Sequence, residues 1–218
     1  MWRYLFASFL FISNLSEAQE TQKVVLKETR ETYYVLKSDK SVRHGSYERR
    51  NMLQDMVMRG SYNRGAREGI WEFYDDNGML QQKYDFTRHE LLYFAVPPEA
   101  RLHKHKVIQG TDTVLTELSR PPLFIGGDVL LREQFSTHFD YPKEAAKNGI
   151  EGTVLVSFII DETGKAENYR IVKGIGYGCD EEAVFSLKKA NNNWIPALLD
   201  NKPVSVEYIM PVKYRLND

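Results

Sequence analysis

The side chains able to do chemistry are few and scattered. The five histidines, His44, His89, His103, His105 and His138, fall at no spacing that sets a base beside a nucleophile. His103 and His105 would share one face of a strand, but no cysteine or second histidine pair lies nearby and the neighbouring lysines oppose a cation. Cys179 is the only cysteine, so no intrachain disulfide can form, and at a helix start it reads as a small buried hydrophobe. The paired acids Glu181 and Glu182 belong to the first turn of a predicted helix, where the helix dipole favours them. No catalytic set, metal site or cofactor is expected, and an enzyme is not expected.

Composition narrows the partner. The 218 residues are 42% hydrophobic and 27% charged, as in a folded protein. Residues 19–118 carry 16 Lys+Arg against 15 Asp+Glu, and residues 119–218 carry 12 against 14. Neither half has the basic excess that nucleic-acid binding requires. At the N-terminus, the positive opening Met1-Trp2-Arg3-Tyr4, an 11-residue apolar run from Leu5 to Leu15 and the small residues Ser16 and Ala18 form a secretory signal. The run is short of the roughly 20 residues of a membrane span. Cleavage is expected after Ala18, leaving Gln19 first and the protein exported; an uncleaved signal would anchor it to the inner membrane.

Residues 24–94 predict an all-β hairpin module. Val24-Val25-Leu26 and Thr32–Leu36 are β-branched and aromatic runs of strand length. Gly45-Ser46-Tyr47 is echoed by Gly69-Ile70-Trp71, and Gly60-Ser61-Tyr62 by Lys83-Tyr84. Asp75-Asp76-Asn77-Gly78 predicts a tight hairpin with both Asn77 and Gly78 at positive φ. Trp71, Phe73 and Tyr84 serve equally as cross-strand packing residues or as a binding surface. Residues 95–122 predict a linker, bounded by Pro97-Pro98 and Pro121-Pro122, with one small hairpin from Val107-Ile108 and Thr113-Val114-Leu115.

Residues 123–216 predict an α+β domain. Val129–Phe139 has helical spacing, and Tyr141-Pro142 opens a short helix closed by Gly149. Gly152–Ile160 alternates Val154, Val156, Phe158 and Ile160 on one face, and Lys165–Lys173 runs back. Asp180 is placed to cap a helix reaching Ala190, with Ala183, Val184, Leu187 and Ala190 as its apolar stripe. Val204–Leu216 is a last strand. Three antiparallel strands with helices on one side are expected.

Two resemblances follow from these residues. Arg67–Gly78 resembles the repeat unit of MORN-type proteins, over at most residues 43–93. The C-terminal stretch resembles the C-terminal domain of TonB-family proteins, in the form common among Bacteroidetes-like sequences. It does so through Phe124-Ile125-Gly126-Gly127-Asp128, Tyr141-Pro142, Gly149–Phe158, the Asp161–Gly164 turn, Val172–Gly176, Cys179–Ala183, Trp194-Ile195-Pro196, Asn201–Val204 and Met210–Tyr214. That resemblance implies a periplasmic domain that adds an extended segment of an outer-membrane TonB-dependent receptor to its sheet. It makes Val204, Val206, Tyr208, Met210 and Val212 the docking strand, with His138, Asp140 and Tyr141 as a second contact. Met210-Pro211 is expected to end the pairing. The resemblance also implies a part in transmembrane transport. An energy transducer would carry a membrane helix and a long Pro-rich spacer, which this sequence does not display, so a non-energised envelope adaptor using both modules is the alternative. Edge strands of this kind also allow a homodimer.

Overall fold

Two-residue periodicity shapes most of the chain, and a computed structural model describes residues 20–96, 104–110, 112–190 and 193–216. The signal segment 1–18 lies outside these residues, as does His103. The chain divides into two units, Met1–Ala95 and Val96–Asp218.

The N-terminal unit is a seven-stranded antiparallel meander: β1 (Thr21–Leu26), β2 (Glu31–Leu36), β3 (Arg43–Arg50), β4 (Met56–Asn63), β5 (Ala66–Tyr74), β6 (Leu80–Asp85) and β7 (Glu90–Phe94), paired in chain order. Every strand joins the next by a short turn, so each ladder is local. The hairpin at Asn77-Gly78 differs from the expected two-residue turn. Only Gly78 has positive φ (73°), the amide of Gly78 bonds the Asp75 carbonyl at 3.0 Å, and Asp75 and Met79 close the loop. The Asp75 carboxylate accepts the amides of Asn77 and Met79, both at 2.9 Å. A three-residue loop with a left-handed glycine results, because the carboxylate holds the preceding residues in a right-handed turn. The two-residue turn of the unit is instead Arg64-Gly65, both at positive φ.

One face of this sheet carries the repeat aromatics. Tyr47, Tyr62 and Trp71 stand on successive strands with ring centroids 5.0–5.6 Å apart, and Phe73 and Phe86 continue the row. Trp71 is fully buried and donates its indole N–H to the Ser61 carbonyl at 3.1 Å. Gly60 lies beneath it: a Cβ there would meet the indole at 2.3 Å. Arg43 and Arg67 lay their guanidinium groups over these rings, 4.7 Å from Tyr33 and 4.6 Å from Trp71.

The C-terminal unit comprises β8 (His105–Gln109), β9 (Asp112–Thr116), β10 (Leu123–Phe124), α1 (Gly127–His138), α2 (Lys143–Lys147), β11 (Gly152–Ile160), β12 (Ala166–Lys173), α3 (Cys179–Ala190), β13 (Trp194–Ile195), β14 (Ala197–Leu199) and β15 (Lys202–Tyr214). The expected three-stranded sheet is in fact six-stranded, in the order β12-β11-β15-β8-β9, with β14 on the start of β15. The hairpin within the expected linker therefore belongs to this sheet: β8 pairs with β15 through Ser205–Ile108, Val206–Val107 and Glu207–Lys106.

The helices lie over one face, where Val154, Val156, Val212 and Tyr214 from the sheet meet Ala145, Cys179, Ala183 and Leu187. Asp180 does not cap α3. Its carboxylate accepts the amides of Ile175 (2.8 Å) and Gly176 (3.3 Å), fastening the glycine loop before the helix. Side-chain hydrogen bonds to nearby loop amides compete with helix capping for short acids of this kind.

Candidate strand-docking site

The site expected on β15 is defined by side-chain parity. Val204, Val206, Tyr208, Met210 and Val212 share a face with Val154, Val156, Phe158 and Ile160 of β11, their partners being Val212, Met210, Tyr208 and Val206 in turn. Val206 and Val212 are buried, and Val204, Tyr208 and Met210 are half-buried. The Tyr208 ring packs 5.0 Å from Trp194 and 5.5 Å from Phe158. Val206 and Val212 belong to the core, and Tyr208 and Met210 pack against it. What β15 has to give another strand is main chain, framed by the opposite face: Ser205, Glu207, Ile209, Pro211 and Lys213.

That main chain is divided. On the side away from β11, β8 pairs with Ser205–Glu207, whereas among the described residues no strand pairs with Tyr208–Tyr214 on that side. Pro211 does not end the ladder as expected. It sits opposite Leu155, and β15 pairs with β11 as far as Tyr214 opposite Gly152. Lacking an N–H, Pro211 gives neither neighbour a donor there.

The second expected contact converges on the same end of β15. The Tyr141 ring meets Tyr214 edge-on at 5.4 Å, and its hydroxyl donates to the Ile150 carbonyl. His138 and Asp140 are exposed. Their backbone is tied to α3: Ser186 Oγ donates to the His138 carbonyl at 3.1 Å, and the Asp140 amide donates to Glu182 Oε1 at 3.2 Å. The structure thus brings the Tyr141 ring to the far end of β15 and leaves His138 and Asp140 exposed.

Glu207 anchors the outer face. Its carboxylate bonds Lys106 Nζ at 2.7 Å and lies 3.5 Å from Arg170 Nη2. The hydrogen bond from Lys106 leads in holding this carboxyl below the usual range. The Lys106–Glu207 link spans 101 residues of sequence, which is why nothing in the local pattern announced it.

A concave surface of the N-terminal unit lies on the sheet face opposite the aromatic row. It is an open groove of about 600 Å³ lined in part by Thr32, Tyr34, Ser46, Arg59, Ile70 and Glu72. Its charges answer one another across the strands, since Glu48 opposes Arg59, Arg59 opposes Glu72, and Glu72 opposes Lys83. Burial pushes the Glu72 carboxyl up, but hydrogen bonds from Lys83, Tyr74 and Arg59 outweigh it and hold the group down at about 2. The Tyr74 hydroxyl is pushed up to about 12 by its own burial and by its bond to Glu72 at 2.7 Å.

Cys179 is buried, and burial together with Asp180 and Glu181 raises its thiol. His44 accepts the Arg64 amide at 3.2 Å within a turn. Glu182 accepts from Ser186 at 2.6 Å. Among the described residues no group of His, Cys, Asp and Glu is arranged to hold a metal ion, and no helix is long and apolar enough to cross a membrane.

Comparison with known proteins adds a family to this geometry. Residues 137–216, from the end of α1 through β15, match the family described as Gram-negative bacterial TonB protein C-terminal. Among solved structures, the NMR solution structure of the Helicobacter pylori TonB-CTD aligns at 27% identity over 41% of this chain and 80% of that one, with a TM-score of 0.33. No curated protein matches the chain.

Proposed function

We propose that this is a TonB-like protein of the cell envelope, acting in the periplasm, that binds an extended segment of an outer-membrane receptor by strand addition and takes part in transport across that membrane. The observation that carries the reading is the coincidence of the TonB C-terminal match over residues 137–216 with seven residues of β15, Tyr208–Tyr214, that no strand among the described residues pairs on one side. An unpaired strand edge gives an incoming segment main-chain hydrogen bonds, and the flanking side chains set its register. Here the flanking positions are Ile209, which is 44% exposed, and Pro211 on the outer face, with Asp140 and His138 at the far end. The family matched is one of binding and energy-transduction domains, and an enzyme is not proposed.

A second reading, a non-energised adaptor gripping one protein with each unit, draws support from the polar groove of the N-terminal sheet. A MORN-like role for that unit belongs to this reading. One titration separates the two. Synthetic peptides from the N-terminal segments of outer-membrane receptors are added to isotope-labelled full-length protein and followed by NMR. The first reading expects shifts in the amides of Tyr208, Ile209, Met210 and Val212 and of His138–Tyr141. Shifts confined to Tyr34, Ile70 and their neighbours would overturn it in favour of the second.

A further inference from the structure

We propose that the β8–β9 hairpin is a resident strand on the docking edge of β15, which competes with a partner's strand for that edge; the inference rests on the strand-addition reading above. Three observations place it there. The hairpin takes the side of β15 that faces away from β11, the side an added strand would use, at Ser205, Val206 and Glu207. Val107 enters the core fully buried, opposite the fully buried Val206. Lys106 meets Glu207 at 2.7 Å, so the contact is held by burial and charge together.

The outer strand, by contrast, is held only through β8. The four residues Asp112–Leu115 are exposed, Leu115 to 60%, and β9 pairs with no second strand among the described residues. A two-stranded hairpin is marginal by itself, so β8 and β9 are expected to leave β15 as one piece. Being tethered, the hairpin meets its edge at the millimolar effective concentration of an intramolecular partner, and a free segment competes against that. A partner strand confined to Tyr208–Tyr214 binds beside the hairpin, while one reaching toward Val204 binds only the fraction of molecules in which the hairpin has left.

The test uses the full-length protein and a fluorescein-labelled peptide with the chain's own sequence over residues 104–110, a strand whose match to β15 is known. Ser205→Cys with Ile108→Cys, an opposed pair, locks the hairpin when oxidised, while Lys106→Glu loosens it by placing like charge against Glu207. Relative to the unmodified protein, Lys106→Glu is expected to bind the probe about tenfold more tightly or better, and the oxidised lock to lose binding by at least about tenfold until it is reduced. Equal affinity in the oxidised, reduced and Lys106→Glu proteins would overturn the inference. Peptides of receptor N-terminal segments form the second arm. Stronger binding to Lys106→Glu and to the reduced pair than to the oxidised lock supports the competition. Equal binding to all of them overturns it and leaves strand addition standing. Binding of the probe as expected, with no receptor peptide bound by any form, leaves the displaceable hairpin standing and removes the receptor reading.

Discussion

The two sheets of this chain cover their apolar faces by different means. In the C-terminal unit, small aliphatic residues such as Val154, Val156 and Val212 are sealed by helices that bring Ala183 and Leu187 onto them. In the N-terminal unit, the strands supply their own cover: wide rings from Tyr47, Tyr62 and Trp71 lie across one another, with Arg43 and Arg67 stacked on top. A sheet that uses aromatic rings in this way needs no long-range partner, and its ladders follow chain order. A sheet that depends on helices is assembled from distant segments, and its edge is settled by whichever segment arrives there. In the second unit that segment is β8, which takes only Ser205–Glu207 of the outer side of β15.

Substitution at the centre of each core gives the largest contrast. Trp71→Ala removes the fully buried indole on which the aromatic row converges, and a loss of about 3–5 kcal/mol is expected. Leu187→Ala, also fully buried, is expected to cost about 2–5 kcal/mol. Denaturant unfolding followed by near-ultraviolet dichroism should show the aromatic signal lost at lower denaturant for Trp71→Ala. An unchanged midpoint for that variant would mean the rings do not carry their sheet.

Gly60→Ala tests the same row from below. The added methyl lands 2.3 Å from the indole, so the ring or the strand must shift, with an expected cost of about 1–3 kcal/mol. Gly65→Ala would be a misleading control because its φ of 88° is itself unfavourable for alanine. Ser61→Ala, on the neighbouring residue, serves better.

The smallest expected effect is acid sensitivity at the charged groove. Glu72 is held at about 2, below its value of roughly 4.3 in an unfolded chain. Its contribution is therefore complete above the unfolded value and is lost as pH falls from about 4.3 through about 2. Because Arg59 is 56% and Lys83 37% exposed, solvent screening limits the effect to about 1 kcal/mol or less. Glu72→Gln should flatten this part of the stability–pH curve, and an unaltered curve would show that the ion network contributes nothing.

How much of this was legible in the sequence follows the same division. Local alternation placed the strand around Val154–Ile160, β-branched and aromatic composition placed Thr32–Leu36, and the Gly–aromatic echoes placed Tyr47, Tyr62 and Trp71 on strands where their rings meet. Turn chemistry was legible in kind but not in detail, since the Asp75 carboxylate changed the Asn77-Gly78 turn into a longer loop. Asp180 was read as a cap because residue type and position allow it, yet the preceding loop amides claim its carboxylate. The five residues expected on a docking strand lie on one strand, β15, with their side chains on its inward face. The arrival of β8 at Val206 was not legible at all, because Val107-Ile108 is an ordinary apolar pair until it meets a partner about a hundred residues later.

The central claim, that the partner strand docks on β15 and not in the N-terminal groove, is tested most directly by crosslinking in living cells. A photoreactive amino acid is placed at Ile209, exposed within the unpaired stretch, and separately at Ile70, exposed in the groove. The account predicts adducts with an outer-membrane receptor from position 209 and none from position 70. Receptor adducts from position 70 alone would contradict it.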